Sequence, residues 1–294
     1  MATSPRATAN GDNASMCSVL ADNGQHQTGS GGNGGAVVID GGSDGMHTFC
    51  GSTFTHNTGG ADALGGALFR TPDAAKQPTL IDRCTFAGNQ GTSGGAAYFH
   101  NSDLTITAST FSGNTAMKSS GALQADGTTL ALTNDTFAGN SAVAGLGGAI
   151  ALFGGDGTIS FTTFADNHAD GGDPYFGAAI AGNPTLALTS DIFANNTAKN
   201  TGAPMQCQVT GTGDGNLQWP RTHVVGGAAD TPCTPSTTFA DPLLGALGSN
   251  GGPTPTLVPG SGSPAIGAGV NCPATDQRGL ARPAMGCSSG SVEP

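Results

Sequence analysis

Arg70, His100 and Asp126 are the residues of this chain whose types could do chemistry together. A guanidinium, an imidazole and a carboxylate held side by side could abstract a proton beside a uronate carboxylate and neutralise the charge that develops, which is general acid–base chemistry on an acidic polysaccharide. Each lies two or three residues after a Gly-Gly-Ala-type segment, and Tyr98 stands two residues before His100. Stacking of successive units could place them on one face. The competing and more ordinary reading is that they stand at loop starts for solubility.

Other chemistries have less to stand on. The glycine-rich runs contain no GxxxxGK[ST], and no serine sits in GxSxG. Asp170-Gly-Gly-Asp173 and Asp40-Gly-Gly-Ser-Asp44 resemble loose calcium loops, but each supplies too few oxygens for the usual six to eight ligands. No cofactor or metal is therefore expected, with a structural calcium as the minor alternative. Sugar-binding grooves offer aromatic platforms, and this chain has one Trp, Trp219, and two Tyr, Tyr98 and Tyr175. That scarcity argues against a carbohydrate enzyme. Thr-rich flat faces can bind ice or crystals, but the threonines read as scattered rather than as a regular TxT column.

The elements that must position these residues are legible as a repeat. Phe-x-x-Asn recurs as Phe54 to Asn57, Phe86 to Asn89, Phe111 to Asn114, Phe137 to Asn140, Phe164 to Asn167 and Phe193 to Asn196, after a degenerate copy at Leu20 to Asn23. The six Phe copies are 32, 25, 26, 27 and 29 residues apart, a spacing proper to solenoids whose units touch only their neighbours. A second element reads Gly34-Gly-Ala-Val37, Gly65-Gly-Ala-Leu68, Gly94-Gly-Ala-Ala97, Ser120-Gly-Ala-Leu123, Gly147-Gly-Ala-Ile150 and Phe176-Gly-Ala-Ala179. A third apolar column stands five residues before each Phe: Phe49, Ile81, Ile106, Leu132, Ile159 and Leu188. Paired glycines and alternating segments such as LTIT and LALT favour strands over helices.

Three short strands per unit bury nothing alone, but stacked at roughly 4.8 Å they put Phe on Phe and Ile on Leu. The expected fold is all-β: a right-handed, single-stranded parallel β-helix of the pectate-lyase-like kind, with about seven rungs and a C-terminal cap. The recurring Asn is expected at a left-handed corner, laddering with the Asn above and below. Residues 1–12 read as a flexible N-terminus, 13–205 as the repeats, and 206–294 as a segment that completes and caps the solenoid.

With 36% hydrophobic and 10% charged residues, a conventional globular core would be hard to fill, while the periodic apolar pattern argues against disorder. A net charge of −11 repels phosphates and anionic lipid, so nucleic-acid and membrane-surface partners are not expected. No apolar run approaches the roughly twenty residues that cross a bilayer, and MATSPRATAN lacks a signal-peptide core, so the sequence reads as a mature soluble form. Seven cysteines that fit no CxxC metal spacing point to disulfides and an oxidising compartment.

GGA followed by an aliphatic residue, alternating with FxxN, resembles the repeats of the polymorphic membrane protein family of bacterial surface adhesins. The tail, FADPLLGALGSNGGPTPTLVPGSGSPAIGAG at 239–269 followed by Cys272-PATDQRGLARP, resembles the choice-of-anchor Q domain of secreted bacterial β-helix proteins. Members of that family close on a segment like CDIGAFE, whereas this chain reads Cys287-Ser-Ser-Gly-Ser-Val-Glu293. The resemblance implies Cys272–Cys287 and Cys207–Cys233 bridges. Cys17, Cys50 and Cys84 lie near equivalent positions before the Phe column; Cys17 with Cys50 is one pairing this allows, with Cys84 then a buried thiol. The function implied is that of a secreted or surface-displayed bacterial protein with a non-catalytic adhesion, recognition or structural role, its partner a host or neighbouring-cell glycan or protein. The alternative is a polysaccharide lyase or glycoside hydrolase.

Overall fold

The computed structural model describes residues 19–21, 33–41, 46–72, 76–171, 177–199, 206–223 and 227–294. Every regular element among them is a strand. The strands stack in parallel into a β-solenoid of about six turns, one fewer than the seven expected. The degenerate first copy contributes, among the described residues, only Val19–Ala21, paired with Thr53–Thr55.

From the turn that contains Gln90–Ser93 onward, turns carry four strands rather than three, and the sheets hold nine, six, six and five strands. The Phe sheet holds the FxxN strands. The Gly sheet holds the strands that follow each Gly-Gly-Ala, such as Leu123–Asp126, and the Ile sheet holds strands such as Thr129–Thr133. The fourth sheet follows the Asn and is built of pieces as short as Ser141–Ala142, whose small residues carry no apolar signal in the sequence.

Register turns composition into a core. Phe54, Phe86, Phe111, Phe137, Phe164 and Phe193 pair rung by rung, and their rings stack with centroids 4.4–5.2 Å apart. The rung spacing of a parallel ladder fixes that distance, and ring pairs of this kind contribute about 0.5–1.5 kcal/mol beyond burial. Phe49, Ile81, Ile106, Leu132, Ile159 and Leu188 form a second unbroken column. The last Gly-Gly-Ala copy is shifted by one residue from the sequence alignment: Ile150 pairs with Ile180, so the unit is Gly177-Ala-Ala-Ile180 and not Phe176-Gly-Ala-Ala179.

The Asn ladder has a more specific geometry than the repeat suggests. The Nδ2 groups of Asn57, Asn89, Asn114, Asn140 and Asn167 donate to the Oδ1 of the next Asn at 2.8–2.9 Å, ending at Asn196. From Asn89 onward the same Nδ2 also donates to the Phe carbonyl of the rung before, as Asn140 does to Phe111. Asn196 then donates to Gln206, whose amide reaches the Trp219 carbonyl at 3.2 Å. The left-handed corner residue is not the Asn but the one before it: His56, Gly88, Gly113, Gly139, Asp166 or Asn195, all at positive φ. The Asn is required by hydrogen bonding, and the preceding position by backbone conformation.

The C-terminal segment both continues the solenoid and folds back on it. Leu217–Trp219 and Thr238–Phe239 extend the Phe sheet beyond Ile192–Ala194. Residues 240–294 then turn back and lie along the outer side of that sheet. Gln277 donates to the Ser109 carbonyl and the Thr110 hydroxyl, Thr136 donates to Gln277, and Ser291 N–H donates to Thr163. The DQRG stretch is a latch: Asp276 pairs with Arg278 at 2.8 Å, and Arg282 lies over the Phe161 ring and donates to Gly290 and Asn134. Cys207–Cys233 and Cys272–Cys287 are disulfides. Cys84 is a buried free thiol, pushed up to about 12 chiefly by burial. Cys50 is also a free thiol, donating to Asp82, while Cys17 lies outside the described residues.

Candidate functional site

Strand parity separates the residues that spacing had grouped. Asp126 pairs with His100 across the Gly sheet, but the partner of Arg70 is Phe99. Arg70 is two residues after its Leu68, whereas His100 and Asp126 are three after Ala97 and Leu123. One residue of difference flips a side chain to the other face of a strand. Arg70 therefore faces the solenoid interior, 2% exposed, in line with buried Phe99, Ala125 and Leu152, while His100 and Asp126 face outward. The expected three-residue constellation does not assemble.

What the outer Gly sheet presents is a phenol–carboxylate–amide cluster. Tyr98 Oη donates to Asp126 Oδ2 at 2.6 Å, and Gln124 Nε2 donates to both Asp126 oxygens at 3.1–3.2 Å. Ser119 in turn donates to Gln124 Oε1. Phe69 stacks on Tyr98 at 5.7 Å. Burial first, and then the hydrogen bond to Asp126 and its charge, raise the Tyr98 phenol well above its ordinary value. With its lone pairs engaged by two neighbours, Asp126 is held as an acceptor within the fold. His100 is exposed beside it.

The outward Ile-sheet column Asp82, Thr107, Thr133, Ser160 and Thr189 is in register, but the column two residues before it runs Leu80, Thr105, Ala131, Thr158 and Ala187, so no regular TxT face forms. The hydroxyls of the first column turn to their neighbours: Thr107 donates to Asp82 at 2.8 Å, and Thr133 and Ser160 share a bond of 3.2 Å. Among the described residues no group of three His, Cys, Asp or Glu could hold a metal ion. Asp170 bonds His168 at 2.9 Å, Asp40 is exposed on its strand, and Asp44, Asp173 and Tyr175 lie outside the described residues.

The cavity that sequence reasoning missed lies between the Phe-sheet corner turns and the C-terminal segment. Two adjoining clefts of about 460 and 420 Å³ share Asp166, Gly245 and Leu257. Ala138, Ala165 and Ala194 form the wall on the solenoid side, and Leu243, Leu244 and Leu247 rise from the other. Asp166 and Asp241 stand at the rim, and burial raises the Asp166 carboxyl above its ordinary value. Nothing local signals this cleft, because its two walls come from distant stretches of the chain, Ala138 to Ala194 on one side and Leu243 to Leu247 on the other.

Comparison with protein families, with curated proteins and with solved structures finds no match. Among the described residues no helix is long and apolar enough to cross a membrane. The two disulfides suggest an oxidising, extracellular environment.

Proposed function

We propose that this chain is an exported bacterial surface protein that recognises a glycan or protein on a host or neighbouring cell without transforming it. The observation that carries the reading is the cleft along the C-terminal flank. Leu243 and Leu247 are 46% and 37% exposed there beside two carboxylates, an apolar strip with an acidic rim on a rigid scaffold. The GGA/FxxN repeats resemble polymorphic membrane protein adhesins, and the tail resembles the choice-of-anchor Q domain; both resemblances favour display outside the cell. The opposed directions of Arg70 and Asp126 weigh against the lyase reading.

The test is retention of the labelled full chain on bacterial and animal cells and on arrays of surface glycans and proteins. Leu243→Asp combined with Leu247→Asp is expected to lower retention at least tenfold with melting unchanged. Binding that ignores these substitutions sinks the cleft as the recognition site. An ultraviolet-absorbing product released from an acidic polysaccharide, and lost in His100→Ala, sinks the non-catalytic reading.

A further inference from the structure

Two columns of inward side chains face each other across the solenoid between the Gly and Ile sheets. One runs Ile39, Arg70, Phe99, Ala125, Leu152, and the other His47, Thr79, Leu104, Leu130, Gly157. They meet: a Cβ placed on Gly157 would lie 3.3 Å from Leu152 Cδ2. From the Phe99 and Leu104 rung onward both columns are apolar and buried, but the rung before holds Arg70 opposite Thr79, with His47 next to Thr79.

These polar groups are under-used. Arg70 and Thr79 are 2% and 1% exposed. Arg70 Nη1 donates to the Gly41 carbonyl at 3.3 Å, while Arg70 Nε and the Thr79 hydroxyl are buried without a partner. Among the described residues no carboxylate pairs with Arg70. His47 is held below its ordinary value by burial and then by the nearby Arg70 charge. A buried guanidinium without a counter-charge and a buried hydroxyl without a partner are both costly, and one oxyanion satisfies both at once. The guanidinium fork matches carboxylate and phosphate oxygens in geometry as well as in charge.

We propose that Arg70, Thr79 and His47 form a binding site for a single small oxyanion, of carboxylate or phosphate type, inside the N-terminal end of the solenoid. Arg70 Nε and the Thr79 hydroxyl each give a donor, and a His47 ring N–H adds a third. The net charge of −11 favours a compact ion over an extended polyanion.

The test is the melting temperature of the full chain in chloride buffer, titrated separately with inorganic phosphate and with acetate while sodium chloride holds ionic strength constant. A saturable rise of roughly 5 °C is expected with at least one of them. The rise disappears in Arg70→Met and shrinks in Thr79→Val. The absence of any rise beyond chloride overturns the proposal, and so does a rise that persists in Arg70→Met. If Arg70→Met fails to fold, calorimetric titration of Thr79→Val with whichever anion acts on the parent decides: affinity about tenfold weaker supports the site, and unchanged affinity overturns it.

Discussion

The repeating rungs and residues 240–294 hold a polar chain in place by opposite means. In the rungs, identical side chains meet: Phe on Phe, Asn on Asn. In the flank, almost nothing repeats, and its pairings outside the Phe sheet are isolated antiparallel bridges such as Gly248 with Thr256. Order there comes from one disulfide, from charged side chains such as Asp276 with Arg278 and Arg282 with Glu293, and from single contacts such as Gln277 with Thr110 and buried Leu257. Repetition distributes stability over the whole length, whereas the latch concentrates it in a few groups.

The sharpest way to break this contrast is at the centre of the stack. Phe137→Ala removes a ring with neighbours on both sides and is expected to cost about 3–5 kcal/mol, read as a lower urea midpoint. Asn140→Ala strands the Asn114 amide groups and the Phe111 carbonyl that Asn140 now serves; a loss of about 3 kcal/mol is expected in the same experiment. Arg282→Met should leave the midpoint of the rungs nearly unchanged while hydrogen exchange and proteolysis in 270–294 rise at least tenfold. Equal loss of protection in rungs and flank would dissolve the distinction between the two regions.

The smallest effect concerns the corner column of Ser109, Asp135, Thr162, Asp191 and Asn216, in which Asp135 and Asp191 are fully buried. Burial raises both carboxyls well above the ordinary 3.8. A folded value above the unfolded one means the contribution is full at acid pH and is lost as pH rises through the folded value. Asp191 Oδ2 has no partner, while Asn216 in the same column donates to the Leu188 carbonyl at 2.9 Å. Asp191→Asn is therefore expected to raise the melting temperature by a few degrees at pH 8, with the gain vanishing at pH 4. A gain of equal size at both pH values would show that ionisation is not its cause.

The Phe, Asn and Ile columns were legible in the sequence because large side chains recurred at nearly constant spacing. The fourth strand was not, since Ser141–Ala142 and His168–Ala169 look like loop without their neighbours. Arg70 shows the limit at single-residue scale: grouping it with residues two or three places after the Gly-Gly-Ala motif passed over the one-residue difference in parity, and parity decides between core and surface. The flank was recognisable as a segment but its docking was not, because contacts such as Thr136 with Gln277 span 141 residues without any internal echo.

The Asn ladder has one more property. Each bond from one Asn side chain to the next runs toward the C-terminal end, so five successive side-chain bonds point the same way. Their dipoles add rather than cancel, and each polarises the next. The column is electrically a one-way string, closed at its far end by Gln206 and a backbone carbonyl, and a fault at any Asn is felt along its length.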